Sequence, residues 1–119
     1  MAEQPSTFIR HIGLCTADIE GASTFYSQAL GFEPLGDIVD IGAPFDELVE
    51  QPGATLRVQQ LKCGEATIEL LGYRDTEVTG AAERKPMNAL GFTHMTLMVA
   101  DIDDTVARIC EFGGQVHRN

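Results

Sequence analysis

The sequence predicts an α+β fold of paired βαβββ modules forming a curved mixed-sheet cup, with the second module incomplete in this chain. Three observations carry that prediction. A strand-helix unit near the N-terminus recurs, without a gap, near the C-terminus. Between the two copies lie further β-rich runs separated by turn residues. The length of 119 residues, 44% of them hydrophobic, suits one globular domain with a modest core.

The elements follow in order. Thr7 to Thr16, TFIRHIGLCT, is rich in β-branched and apolar side chains and reads as a strand. Its alternation puts Ile9, His11, Gly13 and Cys15 on one face and Ile12 and Leu14 on the other. Asp18 then stands where a helix N-cap belongs. Ile19, Ala22, Phe25, Tyr26, Ala29 and Leu30 form the apolar stripe of an amphipathic helix closed by Gly31. Phe32 to Ile38 resumes as a strand. A long connection through Gly42, Pro44, Pro52 and Gly53 carries one helical turn around Phe45 to Val49. Thr55 to Leu61 and Ala66 to Tyr73 are two more strands, joined by a tight turn at Cys63-Gly64. Arg74 to Leu90 is polar, contains Gly80 and Pro86, and reads as a linker.

Beyond the linker the chain repeats itself. A shift of 83 positions, the spacing of His11 and His94, lays RHIGLCTADIEGASTFYSQALG on THMTLMVADIDDTVARICEFGG. His11 falls on His94, Leu14 on Leu97, Asp18 on Asp101, Ile19 on Ile102 and Gly31 on Gly114. The repeat divides the chain into a first module, 7–74, a linker, 75–90, and the start of a second module, 91–119, with a strand at Phe92 to Val99 and a helix at Asp101 to Phe112. By analogy with the first copy, the remaining strands of the second are missing. Either the chain is truncated, the preferred reading, or a neighbour in an oligomer covers the open sheet edge.

Composition excludes several function classes. The formal charge is −10, from 18 acidic and 8 basic residues, and no basic stripe with interleaved aromatics is present, which argues against a nucleic-acid partner. No apolar run approaches a membrane span, and Met1 to Thr7 lacks the apolar stretch of a signal peptide, so a cytoplasmic protein is expected. Cys15, Cys63 and Cys110 are widely spaced and odd in number, hence reduced thiols. An anionic substrate would need a local basic patch, for which Arg57, Lys62, Arg74, Arg84 and Lys85 are the candidates. The acids Asp101, Asp103 and Asp104 open a helix and are assigned to capping.

The repeat also singles out the chemistry. His11 and His94 hold the same position in two equivalent strands and can converge across a pseudo-twofold axis. Glu69 lies at the centre of the apolar strand ATIELL, where a carboxylate is costly unless paired or bound to a cation. One divalent ion held by His11, Glu69 and His94 relieves all three. Nitrogen and oxygen ligands without thiolate suit Zn, Ni, Co, Mn or Fe without choosing among them. If Cys63-Gly64 closes the hairpin, Gln60 faces Thr67 and Val58 faces Glu69. Gln60, Thr67 and Met98 are then the candidate substrate-binding residues, and His117 has no assigned role.

These residues resemble the vicinal oxygen chelate superfamily, which includes glyoxalase I, methylmalonyl-CoA epimerase, extradiol dioxygenases and bleomycin resistance proteins. The likeness covers nearly the whole chain: RHIGLCTADIEGASTFYSQALGF looks like the first strand and helix, ATIELLGYRD like the fourth strand, and GFTHMTLMVADIDDTVARICEFGG like the start of the second module. It implies metal ligation by His11, Glu69 and His94, with a fourth ligand expected beyond Asn119. His-Glu-His is similar to the first three ligands of glyoxalase I enzymes. The resemblance implies a lyase or isomerase that takes a small substrate with vicinal oxygens through an enediolate or enolate, with Glu69, or equally the missing fourth ligand, as the catalytic base and a homodimer as the assembly. The alternatives are an extradiol-type dioxygenase and a metal-free binding or antibiotic-sequestration protein on the same scaffold, with a non-functional fragment as a third possibility.

Overall fold

The computed structural model describes residues 5–118; the first four residues of the polar N-terminal stretch and Asn119 lie outside that range. It is a mixed α+β fold around one curved, open five-stranded sheet. Strand β1 is Ile12–Cys15, helix α1 is Ile19–Thr24, β2 is Glu33–Pro34, β3 is Val39–Ile41, α2 is Phe45–Leu48, β4 is Leu56–Cys63, β5 is Ala66–Tyr73 and α3 is Ile102–Glu111. The sheet runs β1-β5-β4-β2, with β3 pairing β4 after β2. β1 and β5 are parallel and the other pairs antiparallel.

The first strand is shorter than the composition predicts, and the register explains why. Ile12 pairs with Ile68, and β5 begins only two residues earlier at Ala66, so the ladder runs out just beyond His11. The expected Phe32 to Ile38 strand is replaced by two short ones, β2 and β3. Pro34 has no N–H to extend the β2 ladder, and after Leu35, whose N–H still reaches Gln60 O at 2.8 Å, the chain bends at Gly36 before re-pairing as β3.

Helix α1 begins where its cap is. Asp18 Oδ1 accepts from Gly21 N at 3.0 Å. The helix continues into a π-helical turn over Phe25–Ala29, where Ser27 Oγ donates back to Ser23 O at 2.7 Å, and Gly31 closes it with φ +73°. Its inner face packs on one side of the sheet. Ile19, Phe32, Leu61, Ile68 and Leu70 form the buried cluster, with Tyr26, Leu14 and Leu97 against it. Tyr26 and Phe32 stack at a centroid separation of 5.4 Å. Gly72 lets α1 come close, because a Cβ there would lie 3.4 Å from Ile19 Cβ.

The hairpin corrects the predicted register. Cys63 pairs with Ala66 around Gly64-Glu65, so Lys62, not Gln60, faces Thr67, and Leu71, not Glu69, faces Val58. Gly64 takes φ +59° at the first central position, the demand of a type II′ turn, and this fixes the turn one residue later than read. Each partner moves by two, so faces are kept.

The second copy behaves unevenly. α3 forms as predicted, capped by Asp101, whose Oδ1 accepts from Asp104 N at 3.0 Å. Residues 92–99, expected as a strand, carry no ladder among the described residues and lie on the helix side of β1, with Leu97 against the core. The 74–90 linker is free of helix and strand. Among the described residues no helix is long and apolar enough to cross a membrane.

Candidate functional site

On the side of the sheet away from α1, alternation presents Thr67, Glu69, Leu71 and Tyr73 of β5, all half-buried, while Ile68, Leu70 and Gly72 point into the core. His11, just before β1, joins this open side. Its Nε2 lies 3.5 Å from Glu69 Oε1. Across the hairpin, Gln60 sits directly opposite Glu69, and its Nε2 donates to Glu69 Oε2 at 3.0 Å. The two carboxylate oxygens thus have different partners: one is fixed by a neutral amide, the other faces an imidazole. His11 Nδ1 is buried and has no hydrogen-bond partner among the described residues. Glu69 is less buried than its place in an apolar strand implies, its side chain being 21% exposed, so the desolvation that motivated a bound cation is moderate.

The other site candidates are placed elsewhere. His94 lines a separate hollow with Ile12, Leu14 and Tyr26, on the core-facing side of β1, and its Nδ1 lies 2.8 Å from Thr93 Oγ1. Met98 is almost fully exposed and neighbours Leu30 on that same side. Thr67 shares the open face with Glu69 but sits opposite Lys62. Among the described residues no three His, Cys, Asp or Glu side chains come close enough to hold a metal ion. The donor pair His11 and Glu69 suits the nitrogen and oxygen chemistry of a borderline divalent ion, yet it supplies two protein ligands where such an ion takes three or more.

Of the basic residues considered for an anion site, Arg57, Arg74, Arg84 and Lys85 are engaged, and Lys62 is exposed on β4. Arg57 Nη1 pairs with Glu20 Oε1 at 2.6 Å and its Nε with Asp40 Oδ1 at 3.2 Å, while Arg74 Nε pairs with Asp40 Oδ2 at 2.7 Å. The Arg74 hydrogen bond, then that of Arg57, holds the Asp40 carboxyl below its ordinary range, and Arg57 does the same for Glu20. Lys85 Nζ donates to Leu90 O, and Arg84 Nη1 lies 3.3 Å from His117 Nε2.

One feature escaped the sequence reading. Next to Glu69 and Gln60 a recess of about 390 Å³ opens between β4 and the 35–41 segment. Leu35, Gly36 and Asp37 of its lining come from the piece of chain expected to be a single continuous strand, Phe32 to Ile38, where the chain instead bends between β2 and β3.

Comparison with known proteins places the chain. The family model for the glyoxalase/bleomycin resistance protein/dioxygenase superfamily matches residues 8–119. A solved glyoxalase family protein from Bacillus cereus is similar over 95% of this chain and 76% of its own, with TM-score 0.81 and 19% identity. A glyoxalase family protein from Enterococcus faecalis is similar over 91% of this chain and 74% of its own, with TM-score 0.57 and 22% identity. At such identities the likeness concerns the fold. No curated protein matches.

Proposed function

The chain belongs to the glyoxalase/bleomycin resistance protein/dioxygenase superfamily, and from that premise we propose that it is a divalent-metal-dependent lyase or isomerase of the glyoxalase type, cytoplasmic, acting on a small substrate with vicinal oxygens. The observation that carries this reading is the His11–Glu69 pair, 3.5 Å apart on the open face of the sheet, with Gln60 holding the second carboxylate oxygen. His11 Nε2 and Glu69 Oε1 are the donors left to bind the ion, which would act as a Lewis acid on the chelated substrate. Glu69 is also the base that takes the α-proton, and the Gln60 amide orients it for the transfer.

The third ligand, His94, would come from a second copy of the chain. Three observations support such a homodimer. Among the described residues β1 forms an open sheet edge and residues 92–99 have no strand partner, and the chain exposes 9433 Å² where a compact monomer of its mass exposes about 6,300 Å². A second reading, a metal-free small-molecule binder, is favoured by one observation, the placement of His94 on the far side of β1 from Glu69.

Elemental analysis of the purified protein, paired with sedimentation velocity, separates the two. The enzyme reading expects about one divalent ion per chain in a dimer, lost in Glu69→Gln and in His94→Ala. A folded protein that takes up no Zn²⁺, Ni²⁺ or Mn²⁺ at any concentration rejects it in favour of the binder.

A further inference from the structure

Two cations stand in the described strands of the sheet, Arg57 and Lys62, and they face opposite ways. Arg57 lies opposite Gly72 on the helix-packed side, and its charge is taken up by Glu20 and Asp40. Lys62 lies opposite Thr67 and has no ion pair among the described residues. Its neighbour Leu61 is fully buried in the core, so alternation turns Lys62 to the open face that carries Gln60 and Glu69. Along β4 it stands about 6.8 Å beyond Gln60. By the β4–β5 register it is diagonal to Glu69, a relation in which residues on one face are roughly 7–8 Å apart. Thr67, directly opposite Lys62 and two residues before Glu69, adds a hydroxyl to the same corner. Glu33 is the cross-strand neighbour on β2, yet no ion pair joins it to Lys62. A chain of net charge −10 repels anions in general, so an anionic substrate is held only where a cation is local.

We propose that Lys62 is a specificity residue that anchors a carboxylate or phosphate at the end of the substrate remote from its vicinal oxygens, because among the described residues it is the strand cation without a partner on the face where His11 and Glu69 meet. The inference rests on the reading of that face as the substrate site and names the substrate class: a short acid with vicinal oxygens at one end and a second oxyanion at the other, on the hairpin side of Glu69. A lysine ammonium is a compact point charge on a flexible stem, so it suits either oxyanion and adjusts to its position. A neutral tail of the same length leaves that charge in water and gains nothing from it.

The test titrates 2-oxoglutarate, 3-phosphoglycerate and 2-oxopentanoate into the ¹⁵N-labelled, metal-free whole chain. The first two carry a remote carboxylate or phosphate; the third matches 2-oxoglutarate in length and ends in a methyl. Both oxyanion-tailed probes are expected to bind about threefold to fivefold more tightly than 2-oxopentanoate, the effect of one exposed ion pair, with the largest shifts at residues 60–62 and 67–69. Lys62→Gln brings them down to the affinity of 2-oxopentanoate, and Lys62→Arg restores the preference. The probe that loses more in Lys62→Gln identifies the remote group as carboxylate or phosphate. Glu33→Gln, which removes the neighbouring carboxylate, raises both affinities and leaves 2-oxopentanoate unchanged. Lys62 and Glu33 are exposed, so these variants keep the core intact. Equal binding of 2-oxoglutarate and 2-oxopentanoate to the wild type overturns the proposal, as does a preference that survives in Lys62→Gln, a shift pattern away from Lys62, or no binding by any probe. Because no metal is present, a failure of the metal reading leaves these titrations unchanged, and a failure here leaves metal uptake unchanged.

Discussion

Replacing Gln60 by Met tests how the carboxylate at the site is held. The side chain is close to isosteric, so the hairpin keeps its packing while the 3.0 Å hydrogen bond to Glu69 Oε2 is lost. A hydrogen bond to an ionised acceptor contributes about 1.5–3 kcal/mol when it is dry. Glu69 has a 21% exposed side chain, so water can take the place of the amide, and the expected cost falls to about 1–2 kcal/mol. That equals a roughly 5-fold to 30-fold loss in the affinity of the His11–Glu69 pair for a divalent ion, within the range seen when outer-shell partners of metal ligands are removed. Isothermal titration with Zn²⁺, or the visible absorption of Co²⁺, measures it, and thermal melting of the metal-free chain checks that the fold is unchanged. An affinity within twofold of wild type, in a variant that melts normally, would show that Gln60 does not set the carboxylate's orientation.

Further outcomes follow from the rest of the fold. Leu61 is fully buried between β4 and α1, so Leu61→Ala should lower the unfolding free energy by about 2–5 kcal/mol in urea titrations; a smaller cost would mean that the site collapses around the missing methyls. Asp18→Ala and Asp101→Ala each remove an N-cap and should each cost about 0.5–2 kcal/mol, read from the same titrations, with additivity in the double variant because the two caps share no partner. Asp40 and Glu20 have folded pKa values held below their unfolded ones, so their contribution is present above the unfolded carboxylate range and fades as pH falls below about 4. Arg57→Met should therefore flatten the acid side of the stability profile, while an unchanged slope would mean that solvent screens the network fully. Burial raises the Tyr26 pKa, so the stability from its neutral phenol is present below about pH 10 and is lost as pH climbs through the higher folded value, which alkaline melts of Tyr26→Phe would remove.

Much of the first module could be read from residue pattern alone, and the parts that could not share a cause. The α1 cap and stripe, the β4 and β5 strands and the shared face of His11 and Glu69 all follow from local periodicity. What failed was pairing. The ends of β1 are set by where β5 begins, the break between β2 and β3 by a proline that cannot donate, and the hairpin register by which residue takes the left-handed φ at Gly64. Gln60 was singled out for the wrong partner, Thr67, but on the right face, because the register error moved every pair by two. The recess beside Glu69 had no signal in the sequence, since part of its lining lies where a predicted strand is interrupted. Gln59, flanked by Val58 and Gln60, reads as an ordinary strand residue, and its Nε2 bond to Gly36 O depends on a bend between β2 and β3 that the residue pattern does not mark.

The two copies of the repeat separate local from non-local determinants within one molecule. Asp18 and Asp101 adopt nearly the same backbone angles, φ −137° and −138°, and each caps its helix by the same bond to the third residue onward. A helix satisfies its backbone within itself, so α3 forms from the same instructions as α1 although its surroundings differ. A strand satisfies its backbone only through a neighbour, so HMTLMV, equivalent to HIGLCT, carries no ladder where its counterpart is stitched to β5. The same asymmetry acts on the two histidines. His11 reaches Glu69 because the β1–β5 register carries it there, whereas His94 has the same sequence position and no ladder to aim it. Supplying a strand edge for residues 92–99 is therefore the step on which the proposed role of His94 as a third ligand depends. If a second copy supplies it, amide hydrogen exchange at 92–99 should slow as protein concentration rises through the dimerisation range, and in step with it metal affinity should rise. Exchange at 92–99 that stays fast in an assembled dimer would place the contact elsewhere and remove His94 from the site.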